Sequence, residues 1–158
     1  MKTAAVLTVS DSSSRGERAD SSGPATTALL RQHGFDVTQH EVVPDERQAI
    51  EATLIHLSKE VQLVVTTGGT GIAERDVTPE ATRAVCSRLI EGIPELMRAA
   101  GLQHTPYTVL SRGVCGVRGK CLILNLPGSP SGALQSLEAV IGVLPHAVDL
   151  LAGKTDHK

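Results

Sequence analysis

Apolar and polar positions along this chain fall into blocks whose period switches between two and about 3.6 residues, the signature of alternating strands and helices. Thr3–Val9 is an apolar run that predicts a first strand. The polar stretch Ser10 to Gly23 follows, and a segment of that length inside a compact domain is either a mobile connection or a functional loop. Pro24 to Gly34 predicts a helix with Leu29 and Leu30 facing inward and Gly34 as its stop. Phe35–Val43 alternates with period two, as a strand near a sheet edge does. From Asp45 onward, Ile50, Leu54, Leu57 and Val61 recur at helical spacing. Leu63-Val64-Val65 reads as a short strand buried on both faces. Pro79 to Ile90 and Pro94 to Leu102 are two helical pieces separated by Glu91-Gly92-Ile93, and Tyr107 to Leu110 is undecided. Val114–Val117 and Cys121–Leu126 flank Arg118-Gly119-Lys120 as an antiparallel hairpin. A last long helix, capped by Ser129 or Ser131, carries Leu134, Leu137, Val140, Ile141, Leu144 and Val148 on one face, with a kink at Pro145.

Strands alternating with helices predict an α/β fold: a three-layer α/β/α sandwich on a mostly parallel sheet with one antiparallel element. Residues 1–158 read as a single domain. In such sheets ligands collect beyond the carboxyl ends of the strands. Four polar segments fall there: Ser10 to Gly23, Pro44-Asp45, Thr67 to Thr78, and Asn125 to Ser131.

Composition narrows the function classes. Hydrophobic residues are 41% of the chain but aromatic residues only 1%, Phe35 and Tyr107 alone, so the core is aliphatic and no stacking platform for single-stranded nucleic acid exists. A net charge of −2 gives no basis for binding nucleic acid or an anionic membrane. Cys86, Cys115 and Cys121 lack metal-ligand spacing, and an odd count argues against a disulfide framework. Without a signal-like or bilayer-spanning run, the expectation is a soluble, cytoplasmic protein.

The stretch Leu63 to Thr78 carries the most chemistry. Its strand breaks into Thr66-Thr67-Gly68-Gly69-Thr70-Gly71, where three glycines permit positive φ and leave main-chain amides open to an anion. A tight connection between strand and helix needs glycines too, and this loop is neither a dinucleotide fingerprint nor a Walker A motif. Arg75-Asp76 and a helix start (Thr78 as N-cap, Pro79 at the first helical position, Glu80 in the first turn) add a guanidinium and a carboxylate. Asp45 is either the N-cap of its own helix or a carboxylate facing the same cleft; the roles are compatible. Carboxylates beside phosphate imply Mg²⁺, and hence phosphoryl or nucleotidyl transfer rather than acyl transfer.

The runs Thr66–Gly71, Arg75–Thr82 and Leu124–Pro130 closely resemble the molybdenum-cofactor biosynthesis family of molybdopterin adenylyltransferases and MoaB-type proteins. Val9-Ser10-Asp11, Asp20–Pro24, Val43–Glu46 and Ser111–Gly119 match as well, and Leu144–Leu151 is similar to the end of the gephyrin G domain, so the resemblance covers essentially the whole chain. It implies Mg-ATP-dependent adenylylation of the terminal phosphate of molybdopterin, release of pyrophosphate, and a homotrimer that hands its product to a molybdate-insertion protein. By position it assigns Asp45 and Asp76 as catalytic and metal-binding, and Thr67, Gly68, Gly69, Thr70 and Gly71 as the phosphate and pterin contact region. Asp11 and Ser14, with Asn125, Pro127, Gly128 and Ser129, fall on the nucleotide side.

Other positions read more plainly. Arg75 either assists or forms a surface ion pair, and Ser111 and Arg112 are explained equally well by a turn. Lys120 is expected in solvent, His146 on a helix surface or interface, and Cys115 and Cys121 in the core. Glu91-Gly92 stands where many relatives carry Pro-Gly, a departure that touches packing more than chemistry. The alternatives to an enzyme are a non-catalytic MoaB-type molybdopterin-binding protein and a gephyrin-like scaffold, the latter requiring extensions this chain lacks.

Overall fold

A computed structural model describes residues 1–155. The elements run β1 (Lys2–Val9), α1 (Asp11–Ser14), α2 (Ser22–Gln32), β2 (Phe35–Val43), α3 (Arg47–Glu60), β3 (Leu63–Thr67), α4 (Thr78–Val85), β4 (Arg88–Leu89) and α5 (Gly92–Gly101). A 3₁₀ turn (Pro106–Leu110) then leads to β5 (Cys115–Arg118), β6 (Cys121–Leu126), α6 (Pro130–Val140) and α7 (Leu144–Leu151). One six-stranded sheet has the order β2-β1-β3-β6-β5-β4. β2, β1, β3 and β6 are mutually parallel, while β5 runs antiparallel to both its neighbours. The expected α/β/α sandwich with one antiparallel element is the fold observed.

Alternation along the central strands sorts the core into two layers. Ala4, Val6, Leu63, Val65, Leu122 and Leu124 face α2, α5, α6 and α7. Ala5, Leu7, Val64 and Ile123 face α3 and α4, meeting Ile50, Leu54, Leu57 and Ala81. The largest fully buried side chains are leucines and isoleucines with Phe35 alone among aromatics, as the composition requires. Cys115 and Cys121 are buried, and burial pushes both thiols up to about 12.

Several boundaries differ from the sequence reading for local reasons. The segment after β1 is not wholly irregular, since Ser10 accepts from the Ser13 amide and starts the four-residue helix α1. Thr78 is the first residue of α4 rather than its cap, a place Val77 takes, and its hydroxyl donates to the Gly68 carbonyl at 3.0 Å. The helix expected over Pro79 to Ile90 stops at Val85, and Arg88–Leu89 pairs with β5 as an edge strand instead. The long C-terminal helix is two helices bent by 65°. Ser129 caps the first of them, and Pro145 sits in the first turn of the second, where its missing N–H costs nothing. No single helix among the described residues is long and apolar enough to cross a membrane.

Candidate functional site

The four parallel strands end level with one another. Thr8 lies beside Thr67, Thr67 beside Leu126, and Val9 beside Val43. From β1 the chain order passes to β2 on one side and β3 on the other, the switch point at which open α/β sheets bind ligands. The segments leaving those ends surround a cleft of about 340 Å³ lined by Asp45, Thr67, Gly68, Gly69, Asp76, Gly128 and Ser129, among others.

Main-chain geometry builds the glycine loop. Gly68 has φ +95° and Gly69 φ +70°, and a Cβ at Gly68 would collide with the Val9 carbonyl oxygen, so a side chain is excluded there. The Gly68 amide extends the sheet by donating to the Leu126 carbonyl at 3.1 Å. The Thr78 amide donates to the Gly69 carbonyl at 3.1 Å, which together with the Thr78 hydroxyl ties the start of α4 to the loop. Asp76 is thereby fixed at the cleft edge, its Oδ2 accepting from the Ala73 amide at 3.0 Å.

Arg112 clamps the same loop from behind. Its backbone amide donates to the Thr70 carbonyl, Nε to the Gly71 carbonyl and Nη2 to the Asp76 carbonyl, each at 2.8 Å. Nη1 lies 2.8 Å from Glu80 Oε2, and this hydrogen bond holds the Glu80 carboxyl below its usual range. In the sequence a turn explains Arg112 as well as a site role does, because its partners lie far away in the chain and only the fold brings them together.

Asp45 and Asp76 line the cleft, whereas Asp11 stands beside Asp45 and is not among the lining residues. The Asp11 amide donates to Asp45 Oδ2 at 3.0 Å while the Asp45 amide donates to Asp11 Oδ1 at 2.9 Å. Asp45 is therefore not the cap of α3; Glu46 stands at that position with no side-chain cap bond. Partial burial first, and then the charges of Asp11 and Asp76, raise the Asp45 carboxyl above its ordinary value. Arg75 reaches not to its neighbour Asp76 but to Asp11, and that hydrogen bond lowers the Asp11 carboxyl.

The remaining candidates lie around this centre. Ser14 is exposed and donates to the Asp11 carbonyl at 2.8 Å, whereas Ser13 lines the cleft. Thr70 is buried. Gly71 borders Asp76, and Pro127 lines a small hollow beside α5. Asn125 stands apart: it is fully buried, accepting from the Val114 amide at 3.1 Å and donating to the Thr66 and Thr82 hydroxyls at 3.1 and 3.0 Å. Its amide fastens β6 to β3 and α4 beneath the cleft. The structure adds Thr8, Arg18, Asp20 and Ser22 to the lining; Asp20 and Ser22 lie in one of the runs that carry the family resemblance, while Thr8 and Arg18 had no signal beyond the polar segment and its flanks. A larger cavity of about 450 Å³, between α5 and the hairpin, includes Arg83, Arg98 and Arg112 but neither cleft aspartate nor the glycine loop.

Residues 5–146 match the family model described as a probable molybdopterin binding domain. The chain belongs to this molybdopterin-binding domain family. It is 46% identical over 152 residues to a molybdopterin adenylyltransferase of Helicobacter pylori, spanning 94% of this chain and 86% of that protein. The crystal structure of the molybdopterin biosynthesis enzyme MoaB from Thermus thermophilus superposes with a TM-score of 0.92 at 51% identity, covering 98% of each chain. Gephyrin of Dictyostelium discoideum is 36% identical over 160 residues, which is 94% of this chain but 22% of that much longer protein.

Within this molybdopterin-binding domain, the amides of Gly69, Gly128 and Ser129 have no hydrogen-bond partner among the described residues and are available to an anion. Among the described residues no three His, Cys, Asp or Glu side chains form a metal-binding group. Mg²⁺ needs only one or two carboxylates when phosphates and water complete its shell, so the donor set of Asp45 and Asp76 fits that ion rather than a closed protein cage.

Proposed function

We propose that this protein acts in molybdenum cofactor biosynthesis as an adenylyltransferase, using Mg-ATP to adenylylate the terminal phosphate of molybdopterin. The observation that carries the reading is the convergence of two loops with open main-chain donors and two carboxylates on one cleft at the switch point of the sheet. The family match and the adenylyltransferase relatives support it.

In the reaction a terminal phosphate oxygen of molybdopterin attacks the α-phosphorus of ATP. The new P–O bond forms as the bond to the β-phosphate oxygen breaks, and pyrophosphate leaves with the electron pair. Two anions must approach, so the protein's work is positioning and charge neutralisation rather than covalent chemistry. Amides of the loops at Gly69 and Gly128 hold phosphate oxygens, and Arg112 and Thr78 keep the glycine loop from yielding as they bind. Asp45 and Asp76 would hold Mg²⁺, which when bound offsets phosphate charge. Burial first and then the charges of Asp11 and Asp76 raise Asp45, and those like charges favour a cation beside it.

Assembly as a homotrimer belongs to the same proposal. Leu89, Leu96, Leu102, Tyr107, Val109 and Leu110 leave apolar surface exposed on β4, on α5 and the residue after it, and on the 3₁₀ turn, as an interface between copies requires. The test of the chemistry is to mix the protein with molybdopterin, Mg²⁺ and ATP and measure pyrophosphate and adenylylated product. Release of pyrophosphate in step with product supports the enzyme; binding of molybdopterin without turnover replaces it with the binding-only MoaB-type role.

A further inference from the structure

A three-residue cluster sits at the wall of the same cleft, and nothing in the proposed chemistry uses it. Asp20 Oδ2 accepts from the Thr8 hydroxyl at 2.8 Å and lies 2.9 Å from His40 Nε2, while Asp20 Oδ1 accepts from the Gly23 amide at 2.9 Å. Thr8 and Asp20 line the cleft; His40 stands behind them on the edge strand, its side chain 31% exposed against 13% for Asp20. A carboxylate only accepts, so His40 Nε2 is the donor in that pair.

His40 reaches this place because of a defect in the strand. Ala4 pairs with Val37, but Ala5 pairs with Gln39, leaving Thr38 as an extra residue in β2. A regular ladder would set His40 beside Leu7, whose side chain faces α3. With the bulge it pairs with Val6, whose side chain faces α2, on the face that Thr8 shares two residues on. Gly23 completes the fit, since a Cβ there would collide with His40 Nε2.

We infer that His40 is a positioning residue for anionic substrate: it holds and masks the Asp20 carboxylate, which fixes the start of α2 as one wall of the cleft. Asp20 caps the first turn of α2 through the Gly23 amide, and Ser22 in that turn shares a hydrogen bond of 2.9 Å with Thr67 of β3. A bare carboxylate on this wall repels phosphate; one engaged by His40, Thr8 and a helix amide repels it less and cannot swing inward. The inference rests on the reading of the cleft as a phosphate site.

The experiment compares His40→Leu, His40→Gln and Asp20→Asn, alone and in the His40→Leu/Asp20→Asn pair. Leu keeps the bulk and removes the donor; Gln returns a donor near the Nε2 position. Expected for His40→Leu is a KM for ATP raised about fivefold with kcat changed less than about twofold, recovered in His40→Gln. In the Asp20→Asn background the His40→Leu effect shrinks, because no charge remains to mask. An unchanged KM, a fall confined to kcat, or failure of Gln to recover the loss overturns the inference. Hydrogen exchange in the ligand-free protein separates this from the catalytic reading: faster exchange of the Gly23 amide in His40→Leu, restored by Gln, supports the positioning role even if ATP is never turned over. Unchanged exchange there removes it.

Discussion

Asp11 and Asp45 accept each other's backbone amides, at 3.0 Å and 2.9 Å, across 34 residues of sequence. The exchange staples the end of β1 to the end of β2 and leaves the Asp45 carboxylate beside the cleft with two like charges near it. Asp45 is thus held in a place that costs the empty protein stability. Its raised carboxyl means that the folded state binds a proton more readily than the unfolded chain. The contribution therefore turns unfavourable as pH rises from the ordinary carboxylate range through the raised value. Asp45→Asn should lose turnover yet match or exceed the parent in stability at neutral pH, with the difference vanishing in acid. Urea midpoints at pH 4 and pH 8, read beside the activity, check this.

Asp76→Asn should retain the fold, because the amide oxygen can still accept from Ala73. Turnover should fall by about a hundredfold or more, since the cation loses a charged ligand where phosphate charge is offset. Pyrophosphate release over a range of Mg²⁺ concentrations measures it, and near-normal turnover removes Asp76 from the cation site.

Arg112→Lys tests the clamp. A single ammonium cannot reach the Gly71 carbonyl, the Asp76 carbonyl and the Glu80 carboxylate together, as the planar fork does. The pair is about one-third exposed, so the stability loss should be modest, about 1–2 kcal/mol. Glu80 is depressed by Arg112, so the parent's advantage is present above the ordinary glutamate range and disappears as pH falls through the folded value. Denaturant melts of parent and variant across pH 3 to 8 report it, and turnover should drop beyond what stability explains.

Asn125→Ala should cost about 2–4 kcal/mol, because it strands the buried Val114 amide and Thr66 hydroxyl, while the Thr82 hydroxyl keeps only its bond to the Thr78 carbonyl. Thermal unfolding measures the loss. Asn125→Asp should be worse, placing a carboxylate where only an amide satisfies all partners.

The alternation of strands and helices, the mostly parallel sheet and the glycine loop were legible because each is written locally: β-branched runs, helical spacing, glycine after a strand. What escaped is set by pairs distant in sequence. Asn125 looks like a loop donor beside Pro127-Gly128, and only the pairing of β6 with β3 shows that it points into the core. Thr78 has the right chemistry for a cap, yet it lies one residue inside α4, where its hydroxyl donates to the Gly68 carbonyl. Arg75 adjoins Asp76 in sequence and yet pairs with Asp11. His40 was hidden most deeply, since an extra residue in an edge strand leaves no mark on the hydrophobic pattern yet reverses the face that its side chains occupy.

The close passage of Gly68 beneath the Val9 carbonyl bears on how such a protein can diversify. If the cleft binds phosphate as proposed, a grip made of peptide groups cannot be edited one side chain at a time, so mutation around the rim is free to retune which phosphorylated molecule enters while the means of seizing it stays unaltered. Inheritance of the site is then inheritance of a path of the chain, and divergence in substrate should be sought in the variable side chains that overlook it.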